Sequence, residues 1–88
     1  MQEIELENGV LMYNKKAPFK LKEKILDCLE MEVNKFWGIE FDYVATEENI
    51  DERIDFMYCA VKKKREAQDS LNKLIQRFLD NNITLDNE

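Results

Sequence analysis

The sequence predicts a small α+β domain, and three observations carry that prediction. An Asn8-Gly9 pair stands between two short alternating segments near the N-terminus. From residue 19 onward, apolar residues recur at helical spacing. The 88 residues include only two glycines and one proline, so little interrupts the helices. A chain of this length buries about 60–65% of the surface its unfolded form exposes. One domain with a thin core over 1–88 is the expectation.

The first element is a β-hairpin, with strands at about 3–7 and 10–14. Asn-Gly is the preferred two-residue hairpin turn because both positions take φ > 0. A two-residue loop sets Glu7 opposite Val10, Leu6 opposite Leu11, Glu5 opposite Met12 and Ile4 opposite Tyr13. Ile4, Leu6, Leu11 and Tyr13 then share one face, and Glu3, Glu5 and Glu7 the other. A bare hairpin is marginal in water, so the apolar face needs a cover.

That cover is expected from a helix at about 19–37. Leu21, Ile25, Cys28, Leu29, Val33 and Phe36 form its apolar stripe. Pro18 suits its first turn and Gly38 its end. Trp37 reads as a core plug. In "IEFDYVA", 39–45, Ile39, Phe41 and Tyr43 alternate with Glu40 and Asp42, the pattern of a short third strand.

Thr46 is a candidate N-cap for a long C-terminal helix at about 47–80. Ile50, Ile54, Met57, Val61, Lys64, Gln68, Leu71, Ile75 and Phe78 alternate spacings of four and three, as in a heptad seam, and Lys64 and Gln68 dilute it. Unbroken, that helix would be about 50 Å long. A compact domain of this size has a radius of gyration of about 12 Å. The helix must therefore bend near 62–69 or project and find a partner. Residues 81–88 read as a frayed tail.

The residue inventory leaves little room for catalysis. Histidine is absent, which removes the commonest general base and metal ligand. Two isolated cysteines do not make a zinc site, Ser70 is the sole serine, and no glycine-rich phosphate loop occurs. No catalytic residue, cofactor or metal is expected. No hydrophobic signal segment opens the sequence, and its longest apolar run, "FMYCAV" at 56–61, falls far short of the roughly 20 residues of a membrane span. A cytoplasmic protein with Cys28 and Cys59 reduced and buried is the expectation.

Charge is more informative. The formal net charge is -6, and it resides in one segment. Residues 40–55 hold Glu40, Asp42, Glu47, Glu48, Asp51, Glu52 and Asp55 against Arg53, while acids and bases balance elsewhere. Glu47 and Glu48 complement a helix dipole, but Glu47, Asp51 and Asp55 form a like-charge ladder costing about 0.2–0.5 kcal/mol per pair. Lys15, Lys16, Lys20, Lys22 and Lys24 cluster where a helix dipole disfavours cations. Lying against the acidic segment of the same chain would explain them. The basic run Lys62 to Arg65 reads as a solvated helix face, with Lys62–Glu66, Arg65–Asp69 and Asp69–Lys73 as local pairs.

Three functional readings follow. The first is a non-catalytic protein-binding module, such as a small acidic inhibitor that uses Glu40, Asp42, Glu47, Glu48, Asp51, Glu52 and Asp55 to occupy a basic, nucleic-acid-binding groove of another protein. The second is an assembly subunit that forms a homodimer through Leu71, Leu74, Ile75, Phe78 and Leu79. The third is a nucleic-acid binder through Lys15–Lys24 and Lys62–Arg65. The overall negative charge works against it, as does a lysine-rich patch lacking interleaved aromatics.

Overall fold

The computed structural model describes residues 4–42 and 44–86, with side chains as far as residue 80. It holds a two-stranded antiparallel hairpin, β1 (Ile4–Glu7) and β2 (Val10–Tyr13), followed by α1 (Phe19–Trp37), α2 (Ile50–Lys62) and α3 (Arg65–Asp86). This is the expected α+β class. Residue 3, the expected start of the first strand, residue 43 and residues 87–88 lie outside the described residues.

The hairpin forms in the register that the turn demands: Ile4 opposite Tyr13, Glu5 opposite Met12, Leu6 opposite Leu11 and Glu7 opposite Val10. Asn8 and Gly9 take φ of 54° and 78°, as a type I′ turn requires. Ile4 and Leu11 are buried, and Leu6 and Tyr13 pack against the same core. The cover differs from expectation. The hairpin lies chiefly on α3 through β1, whereas the stripe of α1 packs on α2 and α3. Polar ties explain the choice: Asn72 Nδ2 and Gln68 Nε2 of α3 donate to the Gly9 carbonyl at 3.2 and 3.4 Å. On β2, the Leu11 amide donates to the Tyr58 hydroxyl of α2 at 2.8 Å.

Helix α1 follows Pro18, whose carbonyl accepts from the Leu21 and Lys22 amides. It ends at Gly38, at φ 70°, whose amide donates to the Asn34 carbonyl; this is a left-handed cap favourable to glycine. Its buried face comprises Leu21, Lys22, Ile25, Leu26, Leu29, Glu32 and Val33. Cys28 and Phe36 are half-buried. Trp37 is no core plug: it is 40% exposed, because Phe36 takes the inward position at the last turn.

The expected third strand is absent among the described residues of 39–45. The described residues of that segment have no regular secondary structure; Phe41 packs against the core, and Ile39 and Val44 are exposed. Period-two patterning reports a backbone with one covered face, and strand pairing needs a sheet edge as well. Here the outward Leu11 amide of β2 is already taken by Tyr58.

Thr46 is not the N-cap of the next helix, which begins at Ile50 rather than near residue 47, with Asn49 in the cap position; Thr46 instead closes the turn before it. The Asn49 amide donates to Thr46 Oγ1, and the Thr46 amide donates to Asn49 Oδ1, a reciprocal box that starts a turn leading into α2. The single long helix does not persist. Lys63 and Lys64 donate to carbonyls three residues back, Ala60 and Val61, and the chain restarts as α3. The break falls within the expected 62–69 window, where lysine interrupts the apolar seam. The two helices fold against each other in a body of 36 × 28 × 18 Å with a radius of gyration of 12.5 Å. Ile50, Ile54, Met57 and Val61 of α2 and Ala67, Leu71 and Ile75 of α3 form the core with α1. The backbone stays helical to Asp86, well past the expected fraying point near 80. No helix among the described residues is long and apolar enough to cross a membrane.

Candidate functional site

The described surface carries two charged regions, and they differ from those read in the sequence. The acidic segment divides. Asp51 and Asp55 turn toward the hairpin and the start of α1. Lys22, buried at 8% exposure, places its Nζ 3.1 Å from Asp51 Oδ1 and also donates to the Lys15 carbonyl. The Tyr13 hydroxyl donates to Asp51 Oδ1 at 3.1 Å. Lys15 pairs with Asp55 at 3.6 Å. Two of the three ladder acids, Asp51 and Asp55, are thereby compensated from within the chain, and so are two of the N-terminal lysines. Burial, then the Asp51 bond and the charges of Asp51 and Asp55, raise the Tyr13 phenol above its ordinary range.

Glu40, Asp42, Glu47, Glu48 and Glu52 remain exposed. Glu40 and Glu52 flank a feature that the sequence reading missed. Phe56 lies off the buried seam of α2 and is 77% exposed. With Phe41, Met57, Asn49, Glu52 and Arg53 it lines a cleft of about 410 Å³. Phe41 also lines a second cleft of about 590 Å³, with Met31 and Ile39 as apolar walls and Asp27, Glu30 and Glu40 as acidic ones. Phe41 belongs to both, so the two clefts adjoin at its side chain, one toward α2 and the other toward α1, and together they are termed the groove. Met31, Ile39 and Phe56 are exposed within it. Burial and the neighbouring Asp27 raise the Glu30 carboxyl, against an opposing pull from Arg53.

The missed residues left a trace. Asp27, Glu30 and Met31 stand three and four apart on α1, off its apolar stripe, and Phe56 is an aromatic next to a seam position. An apolar side chain on the polar side of an amphipathic helix is the signal that would have found them.

The helix-end residues expected to self-associate are used differently. Leu71 and Ile75 are fully buried in the chain's own core. Leu74, Phe78 and Leu79 are half-buried, the last two packed against that core. Cys59 is exposed rather than buried, and Cys28 is half-buried; both are free thiols. Burial, with Asp27 and Glu32 nearby, pushes the Cys28 thiol up.

The basic run also departs from expectation. None of the pairs Lys62–Glu66, Arg65–Asp69 and Asp69–Lys73 closes as an ion pair. The lysines meet aromatic rings instead. Lys62 Nζ lies 5.0 Å from the Tyr58 ring centre. Lys64 Nζ lies 5.5 Å from Phe36 and 5.9 Å from Trp37.

Among the described residues, no three Cys, Asp or Glu side chains gather as a metal-binding group. Compared with family models, curated proteins and solved structures, the chain gives no significant match.

Proposed function

We propose that the protein is a non-catalytic binding module whose groove across Phe41 takes an apolar and basic segment of another protein. The observation that carries this reading is the setting of Phe56. A phenylalanine in the middle of a helix is left 77% exposed in a cleft it shares with Phe41 and Glu52, and Phe41 also lines the adjoining cleft with Ile39, Met31, Asp27, Glu30 and Glu40. Exposed apolar side chains rimmed by polar ones mark interaction surfaces. An apolar centre with a charged rim is also the anatomy of a protein interface.

Charge complementarity selects the partner. Four carboxylates around the groove favour lysine and arginine on the incoming segment, and they would speed its capture more than strengthen its hold. Burying Phe56 against an apolar partner side chain contributes about 1.5–3 kcal/mol. A basic surface that otherwise engages nucleic acid would fit this description, which makes an inhibitory role the natural use of the module.

The test uses a synthetic amphipathic peptide of alternating Leu and Lys clusters as the probe. Binding is expected to weaken with salt through screening. It is also expected to fall about tenfold or more in Phe56→Ser, the size of one lost apolar anchor. A Glu40→Gln/Glu52→Gln variant, which removes two of the four carboxylates, should lose about half of the salt dependence. Full binding by Phe56→Ser at moderate salt would reject the reading.

A further inference from the structure

On the side of α1 away from the hairpin contacts of Lys15 and Lys22, the C-terminal half of the helix faces a stretch of α3 with the opposite charge. Residues 62–77 carry six cations against Glu66 and Asp69. Lys35 of α1 and Lys73 and Arg77 of α3 line a cleft of about 450 Å³, with Asn34 and Ser70 as polar walls. All three cations are exposed, and none is held by a carboxylate as an ion pair. The nearest carboxylate in the cleft lining, Glu32, is only 2% exposed and accepts from Ser70 Oγ at 3.0 Å.

Beside the same helix end stands the chain's only tryptophan. Trp37 is 40% exposed and meets Phe36 edge to face at 6.4 Å. Lys64 approaches both rings, and Lys35 lies 5.3 Å from Phe36. Cations are thus interleaved with an accessible aromatic platform, the feature that the linear sequence hides by placing residue 64 far from residue 37.

We infer that this basic face, from Trp37 and Lys64 along Lys35 to Lys73 and Arg77, binds single-stranded nucleic acid. One base stacks on Trp37 and the following phosphates meet Lys35, Lys73 and Arg77. Aromatic platforms beside tracks of cations bind single strands with little sequence preference, because every base offers a π-face and every nucleotide a phosphate. From Arg65 to Arg77 a helix rises about 18 Å, room for about three nucleotides. The net charge of the whole chain opposes distant attraction. At physiological salt, though, the Debye length is about 8 Å, so the local cations decide what binds at contact. A duplex would not be favoured, since its bases are stacked within the helix and unavailable to Trp37. This inference does not rest on the acidic groove, although Met31 and Asn34 line both clefts.

The sole tryptophan makes the test direct. A short oligothymidylate is titrated into the full chain at moderate salt, following Trp37 fluorescence, beside an abasic oligomer of equal length and a polyphosphate. Quenching of Trp37 is expected, with binding to oligothymidylate about tenfold or more tighter than to the abasic strand. A salt slope near -2 is expected if three phosphates are neutralised. Lys35→Gln/Lys73→Gln/Arg77→Gln should abolish most of the slope. Lys20→Gln/Lys24→Gln, at the other end of α1, should leave it intact. For Trp37→Leu, anisotropy of a labelled strand should report a matching loss, with an unchanged circular dichroism spectrum. Equal binding of the abasic strand or polyphosphate without quenching would overturn the inference in favour of a plain polyanion surface. So would no binding at low salt, or a loss caused equally by Lys20→Gln/Lys24→Gln.

Discussion

Lys22 Nζ sits 3.1 Å from Asp51 Oδ1 and ties the first turn of α1 to the first turn of α2. Lys22 is nearly buried, and the Lys15 carbonyl takes another of its protons. This one contact explains two oddities of the sequence: a cation at a helix start and an acid in a like-charge ladder.

Removing the carboxylate from that pair leaves a buried ammonium short of a partner. Asp51→Asn is expected to cost about 1–3 kcal/mol, read from urea denaturation at neutral pH. Asp55→Asn, which breaks the solvent-exposed contact with Lys15, should cost under about 1 kcal/mol. Equal losses would show that burial of Lys22 does not matter.

Tyr13 gives the same junction an alkaline signature. Its phenol is raised above the ordinary value by burial first and by Asp51 and Asp55 next. A group raised in the folded state stabilises fully below its unfolded pKa, about 10 for tyrosine, and that stability fades as pH climbs through the folded value. Wild type should therefore lose stability relative to Tyr13→Phe above about pH 10. One of the three tyrosines should also ionise late in a phenolate absorbance titration. Parallel stability curves for the two proteins would contradict this.

Glu32 is a buried carboxylate with Ser70 Oγ on Oε1 and no hydrogen-bond partner on Oε2. Ser70→Ala should cost about 1–3 kcal/mol by stranding the first oxygen as well. Glu32→Met/Ser70→Ala should recover most of that loss, because replacing a whole buried polar pair by apolar groups is often neutral or stabilising. A double variant as unstable as Ser70→Ala would show that Glu32 holds the α1–α3 packing in some other way.

The groove has its own pH dependence. Glu30 is raised by burial and by Asp27, so as pH falls it is neutralised before an ordinary carboxylate. Cationic-peptide binding should begin to weaken above the usual glutamate range, and Glu30→Gln should remove that early part of the curve. The folded state favours protonated Glu30. Its contribution to stability is therefore present below the ordinary glutamate pKa and lost as pH rises through the raised value, so Glu30→Gln should be slightly stabilising at neutral pH. An unchanged pH profile in the variant would refute the assignment.

Much of the architecture was legible because local rules and packing agree. Asn8-Gly9 fixes a turn and the alternation around it fixes a register, so the hairpin follows from a dozen residues. Pro18 and Gly38 bracket α1, while Thr46 with Asn49 makes the turn that leads into α2. Length required the long helix either to bend or to project, and the dilution of the apolar seam at Lys64 and Gln68 marked where the fold-back falls. Residues 39–45 misled because alternation does not say whether a sheet edge is free. The sites were less legible because they are made by juxtaposition. The acids of 40–55 look like one surface in the sequence. Yet Asp51 and Asp55 pair with lysines of the same chain, while Asp27 and Glu30 arrive from another helix. Trp37 and Lys64 meet only because α3 turns back, and Phe56 shows its role only by staying exposed after the core has closed.

The most direct test of the groove is an amide chemical-shift map of the labelled protein titrated with the amphipathic Leu/Lys peptide. Phe56→Ser serves as its control, since a change at so exposed a position should alter stability by less than about 0.5 kcal/mol. The account predicts shifts concentrated in residues 27–41 and 49–57 of wild type and largely lost in the variant. Shifts centred on the hairpin or on α3, or an unchanged map in Phe56→Ser, would contradict it.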